Sequence, residues 1–145
     1  MSEFLDSLIY DRVQADLDNL TKKAYIDYED LNRVETAIAW ISRLLNKKGY
    51  RNSTINRLNW QMNDWRTAKD MERIRQNIIK LRAAYYTPES TPVTPAEITY
   101  TSIYQANAIE KILYDLGTLA EKIQPGNHHL AFKIGTRPIG NRSEV

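Results

Sequence analysis

Histidines, carboxylates and a run of cations are the residues in this sequence whose types could do chemistry. His128 and His129 are adjacent, so a strand would point them to opposite sides of the chain and they could not both reach one metal. No third histidine completes a site, and a loop or surface role is assigned to the pair. The aspartates and glutamates fall mainly at predicted helix starts and in Glu/Lys pairs such as Glu110-Lys111 and Glu121-Lys122, where capping and solvation account for them. No carboxylate dyad stands out. A glycine-rich phosphate loop, a GxSxG turn, an HExxH motif and a calcium loop are all missing from the sequence. There is no cysteine, which excludes disulfides and thiolate metal sites. No catalytic residue, metal or cofactor is expected, and the chain reads as a non-enzyme.

Binding chemistry is better represented. Trp60 lies within the Asn- and Arg-rich stretch YRNSTINRLNWQMND and Trp65 directly after it, and the two flank a polar patch. They either pin this stretch to the rest of the fold or belong to a surface that meets a partner, where aromatic side chains are enriched. From residue 66 to residue 82, Arg66, Lys69, Arg73, Arg75, Lys80 and Arg82 face only Asp70 and Glu72, a net charge of +4. Such a helix is a solvated face, a contact for an acidic protein, or a contact for nucleic-acid phosphates. Helical geometry spreads Arg73, Arg75, Lys80 and Arg82 around the axis, so nucleic acid is the less favoured of the two partners. After Pro125, Leu130, Phe132 and Ile134 alternate with Ala131 and Lys133, which predicts a short strand. A lone strand in a helical protein is either disordered or added to a sheet on another chain, and three large apolar residues favour addition.

The elements that must position these residues follow from periodicity. Leu31, Val34, Ile38, Ile41 and Leu45 are spaced 3, 4, 3, 4, laying one apolar stripe along a helix from Asp27 to Gly49. Met71, Ile74, Ile78, Leu81 and Tyr85 repeat those intervals, and so do Ala106, Ile109, Leu113, Leu116 and Ala120. Each stripe begins four residues after a good N-cap (Asp27, Thr67, Ser102), with an aromatic two residues before the cap (Tyr25, Trp65, Tyr100). Three helices of one design are predicted, over 27–49, 67–86 and 102–123. Asn32 and Asn107 hold the same place in their repeats, and either bond across to a neighbouring backbone or are simply exposed. A further helix is predicted from Asp11, with Val13, Leu17, Leu20 and Ala24 as its buried stripe, and Gln14 reaching back in a capping box. Phe4, Leu5, Leu8 and Ile9 before it either extend that helix or form a separate turn. Trp40 falls between stripe positions and either widens the buried face or projects outward. Ile55, Leu58 and Met62 suggest a short connector helix, while Pro88, Pro92 and Pro95 predict an extended linker over 87–99 that could act as a hinge.

A chain of 145 residues with a formal charge of +2 fits one domain with one core, and any basic patch must be local. Five glycines against many Leu, Ile, Ala, Lys, Arg and Glu residues favour helix. The opening MSEFLDSLIYD is too acidic and too short in its apolar run for a signal peptide, and no eighteen apolar residues occur together, so a soluble protein with no membrane contact is expected. The fold class is all-α: a small helical bundle of about four main helices over 1–124, with a short connector helix, then an extended C-terminal arm over 125–145.

The segments YDRVQADLDNL, YEDLNRVETAIAWISRLLNKKGY, W-x4-W-x-T-x2-DMERIRQNI and ANAIEKILYDL, in that order over roughly residues 9 to 120, resemble a family of small structural modules. These modules occur in the tail and baseplate regions of phages and prophages of Gram-positive bacteria. The resemblance implies a virion structural protein at the tail tip, baseplate or fibre, working by protein contacts, and it brings no active site with it. Its partners would be other virion proteins and further copies of itself, in the virion tail after assembly in the host cytoplasm. The interface residues expected are Trp60, Trp65, Arg73, Arg75, Leu130, Phe132 and Ile134. Alternatives are a nucleic-acid-binding module using the basic helix, and a carbohydrate binder stacking sugars on Trp60, Trp65 and the tyrosines.

Overall fold

The structure, a computed structural model, describes residues 3–21 and 25–123. The predicted C-terminal arm, with Leu130, Phe132, Ile134 and both histidines, lies outside the described residues. Among those described the chain is all-helical: α1 (Glu3–Asp6), α2 (Gln14–Asp18), α3 (Tyr28–Lys47), α4 (Ala68–Ala84) and α5 (Ile103–Lys122). The three predicted repeats are the three long helices, and all three predicted caps are in place. The Asp27 carboxylate accepts from the N–H groups of Glu29 and Asp30, Thr67 Oγ1 from Asp70 N–H, and Ser102 Oγ from Tyr104 N–H. Such caps satisfy backbone donors that a helix start otherwise leaves open. The stripes bury as their spacing predicts except at Tyr85, which is half-buried and lies just past the end of α4, and Ile38, Ile41, Ile74, Ile78, Leu81, Ile109 and Leu113 form the sealed centre of one core.

The helices run parallel. Arg33 of α3 reaches Glu110 of α5 while Lys48, past the end of α3, donates to the carbonyls of Ala120 and Glu121, so both helices advance in one direction. Glu35 meets Arg73 near the starts of α3 and α4, and the Tyr50 and Tyr85 rings meet edge to face at 4.7 Å where those helices end. Parallel neighbours need long returns, and extended segments supply them. Residues 50–66 and 85–101 run back along the bundle, and residues 9–12 do the same before α2. Each lies between two helices: 9–12 between α5 and α3, 52–60 between α3 and α4, and 91–98 between α4 and α5.

Several local expectations are corrected by this topology. The helix predicted from Asp11 is reduced to the five residues of α2, which bury nothing. Val13, Leu17 and Leu20 are exposed, and Ala24 lies outside the described residues. The 3.6-residue spacing is present, but residues 9–12 are held extended in their groove, and Leu20 closes the turn in the left-handed region at φ 56°. The connector helix over Ile55, Leu58 and Met62 is absent as well, because this stretch is an extended return whose backbone is bonded to helix side chains. Phe4 and Leu5 belong to a separate turn, α1, where Leu5 packs into the space above Gly117 and the Phe4 ring meets Trp40 at 5.9 Å, tilted by 34°. The proline segment is extended as predicted, and it is packed: Arg82 donates to the Pro92 carbonyl, Arg75 to the Pro95 carbonyl at 2.8 Å, Thr91 to Asp115 at 2.9 Å, and Ile98 is buried.

Two substitutions test this arrangement by urea unfolding. Leu5→Ala is expected to cost about 2–5 kcal/mol, because it empties a filled site in the core. Leu20→Gly is expected to leave stability equal or raise it by up to about 1 kcal/mol, since a left-handed backbone suits glycine; a clear loss would mean that the Leu20 side chain is buried.

Candidate functional site

An extended segment with no neighbouring strand must satisfy its backbone groups elsewhere. Here the side chains of the helices do it. Asn32 of α3 donates Nδ2 to the Trp60 carbonyl at 2.9 Å and accepts the Trp60 N–H at 2.8 Å. One turn on, Glu35 accepts the Arg57 N–H at 2.9 Å and the Trp60 indole N–H at 2.6 Å, and the Arg73 guanidinium from α4 closes on the same carboxylate. α5 repeats the device. Asn107 accepts the Arg12 N–H at 3.0 Å and donates to the Arg12 carbonyl at 2.8 Å, and Glu110 accepts the Ile9 N–H at 2.9 Å and an Arg12 guanidinium N–H at 2.8 Å. Arg33 adds a two-pronged contact to Glu110 from α3. Asn77 clasps both backbone groups of Ile55 in the same way, and Asn46 those of Asn52.

These centres hold charge without water. Glu35 is 0% exposed and Arg12 2% exposed. Buried charge is tolerated only when paired and fully bonded, and both conditions hold. Each oxygen of Glu35 and Glu110 accepts two hydrogen bonds, and the cations Arg12 and Arg33 balance the anions Asp30 and Glu110. Burial pushes the Asp30 carboxyl up, against the pull of the Asp27 N–H and Arg33. Burial also opposes charge on Arg33, but its bonds to Glu110 and Asp30 prevail and raise its pKa. The Tyr100 phenol is pushed up by burial, and its hydroxyl is enclosed without a hydrogen-bond partner. With their lone pairs committed to structure, Glu35 and Glu110 are poor candidates for moving a substrate's proton. Among the described residues no group of three or more His, Asp or Glu could hold a metal ion, and no helix is long and apolar enough to cross a membrane.

The predicted interface residues divide. Trp60 is 2% exposed and pins the connector to α3 through its indole N–H, so its place is the core and not a partner surface. Trp65 is 86% exposed. Arg73 is bound to Glu35, and Arg75 bridges the Pro95 carbonyl and Glu72, so both are engaged within the chain. Leu130, Phe132 and Ile134 lie outside the described residues. Sequence reasoning missed Arg12, Glu35, Asn77 and Glu110 as organising polar residues. One signal was available: Glu35 and Glu110 stand three residues after Asn32 and Asn107, so the Asn-x-x-Glu pattern recurs at the same place in two repeats.

Because the long helices are parallel, their starts meet at one end of the molecule. That start face is open and partly apolar. A cleft of about 440 Å³ lies between Gln14 and Leu17 of α2, Tyr25, Arg66 and the α5 start from Tyr100 to Tyr104. A second of about 290 Å³ shares Ile26 and Arg66 with it and is walled by Tyr28, Trp60 and Met62. Leu17, Tyr25, Met62 and Tyr104 are all exposed around these clefts, and Trp65 stands beside Arg66. This gathering of large apolar side chains on a fixed frame is a feature of the described surface suited to recognition.

Removing single members of the buried centres tests their role. Glu110→Ala strands Arg12 in the core and is expected to cost about 3–5 kcal/mol, and Asn32→Ala about 1–3 kcal/mol because both Trp60 backbone groups lose their partner. Chemical denaturation of each variant reads the effect, and losses under about 0.5 kcal/mol would show that the return segments are held by other contacts. Compared with known proteins, the chain matches no family model, no curated protein and no solved structure.

Proposed function

We propose that this chain is a structural or adaptor subunit of a phage tail, associated with the tail tip, baseplate or fibre, which works through protein contacts and not through turnover. The observation that carries the contact-making part is the display of Ile55, Leu58, Met62 and Trp65, all exposed, on a return segment whose backbone is fixed by Asn32, Asn77 and Glu35. A rigid frame presents apolar side chains without the ordering cost that a loose loop would bring to binding. The phage-tail part rests on the sequence resemblance over roughly residues 9 to 120. In this reading the partners are other virion proteins and further copies of the chain, in the tail after assembly in the host cytoplasm. Nucleic acid is disfavoured, since Arg73, Arg75 and Arg82 of the basic helix bond within the chain.

The test is the protein content of purified particles from a strain that encodes the chain. The chain is expected among the particle proteins in a fixed ratio to the tail components; its absence from intact tails would overturn the proposal. In a strain carrying a chain that lacks residues 126–145, the truncated protein is expected to stay folded and helical and to fail to incorporate. Loss of helix on that truncation would instead assign the segment to the core.

A further inference from the structure

Three parallel helices add their partial charges, positive where they start and negative where they finish. The charged side chains are arranged in the opposite sense. Among the described residues around the start face, Asp18, Glu29, Asp64, Glu72 and Glu97 are exposed, against the cations Arg66 and Lys69. Towards the finish end Arg43, Lys47, Arg51, Lys80 and Lys122 are exposed, against Asp6 and Glu89. These exposed side chains sum to −3 at the start face and +3 at the finish end, more than the roughly +1.5 and −1.5 of three helix termini, so the start face is net acidic and the finish end net basic.

The two ends also differ in shape. The start face combines its acidic rim with the two clefts and the exposed Leu17, Tyr25, Met62, Trp65 and Tyr104. The finish end carries a shallow depression of about 330 Å³ between Arg51, Asn52 and Ser53 on one side and Lys80, Ala83 and Ala84 on the other. An acidic apolar face and a basic face at opposite ends of one molecule complement each other between copies and cannot meet within one. We propose that the start face of one copy docks the finish end of a second, so that copies associate head to tail. Such a contact uses different surfaces on the two partners and leaves each copy with a free end, which builds an open stack or closes into a ring. The inference rests on the reading of the chain as a contact-making structural subunit.

Mixing two variants of the full-length chain tests it. One variant, Met62→Ser with Trp65→Ser, has a damaged start face; the other, Lys47→Glu with Lys122→Glu, has a damaged finish end. All four positions are exposed, and circular dichroism should show unchanged helix. The unaltered chain is expected to raise its weight-average mass at least about two-fold between roughly 1 and 100 µM in light scattering, and to fall back towards monomer in about 1 M salt. Each variant alone should remain monomeric at those concentrations, and their equimolar mixture should form a dimer and stop there. An unaltered chain that stays monomeric throughout would overturn the proposal. So would a finish-end variant that still dimerises alone, because the start faces would then be pairing with each other. If the chain is found in particles and yet never self-associates, the head-to-tail contact fails while the structural-subunit reading stands.

Discussion

The structure depends on the pairing of extended backbone with side-chain amides and carboxylates. A sheet satisfies a strand with another strand, and a helix satisfies itself. Here neither solution is open to the return segments, and Asn32, Asn46, Asn77 and Asn107 each offer one acceptor and one donor to the N–H and C=O of a single residue. An asparagine amide presents the same pair of groups as a peptide unit, so each acts as a one-residue fragment of a neighbouring strand. Glu35 and Glu110 complete the job for the N–H groups three residues earlier in the segments. Parallel helices are possible because the returns are bonded in this way; loose returns would leave the grooves between the helices open to water.

That dependence explains why charge is buried. Arg12 has its backbone clasped by Asn107 and its guanidinium held by Glu110, so one residue ties the first extended segment to α5 twice. Arg33 and Asp30 bring α3 into the same cluster. Apolar side chains in these positions could pack as densely, but would leave the Ile9 and Arg12 backbone groups without partners. The charges are therefore best understood as fixing register: they decide which residue of each segment sits at which turn of each helix.

The long helices are legible in the sequence because stripe, cap and preceding aromatic all repeat, and three independent signals agree in each of them. The extended returns are not. Ile55, Leu58 and Met62 have helical spacing, and so do Val13, Leu17 and Leu20, yet neither set is buried; periodicity records where apolar residues stand but not whether a groove will take the backbone instead. Trp60 and Trp65 are indistinguishable as letters. Only the partner decides between them, since Glu35 receives the Trp60 indole and the Trp65 ring is left in the open. The basic helix misleads for a related reason: Arg73, Arg75 and Arg82 read as surface charge in the sequence, and each is committed to a carboxylate or carbonyl of the neighbouring segments.

The groove between α5 and α3 is filled by residues 9–12, and the bonds that seat them join positions 95 to 101 residues apart in the chain. When residues 9–12 leave a ribosome they therefore have no finished site to occupy until α5 has also been made. The α3–return–α4 portion can assemble early from nearer neighbours, with separations of 22 to 38 residues. Closure of the ring of helices must wait, and it carries the loop-closure cost of all the chain between residue 12 and α5. Maturation of this bundle is thus tied to the synthesis of α5, with Arg12 as the latch that the last helix receives.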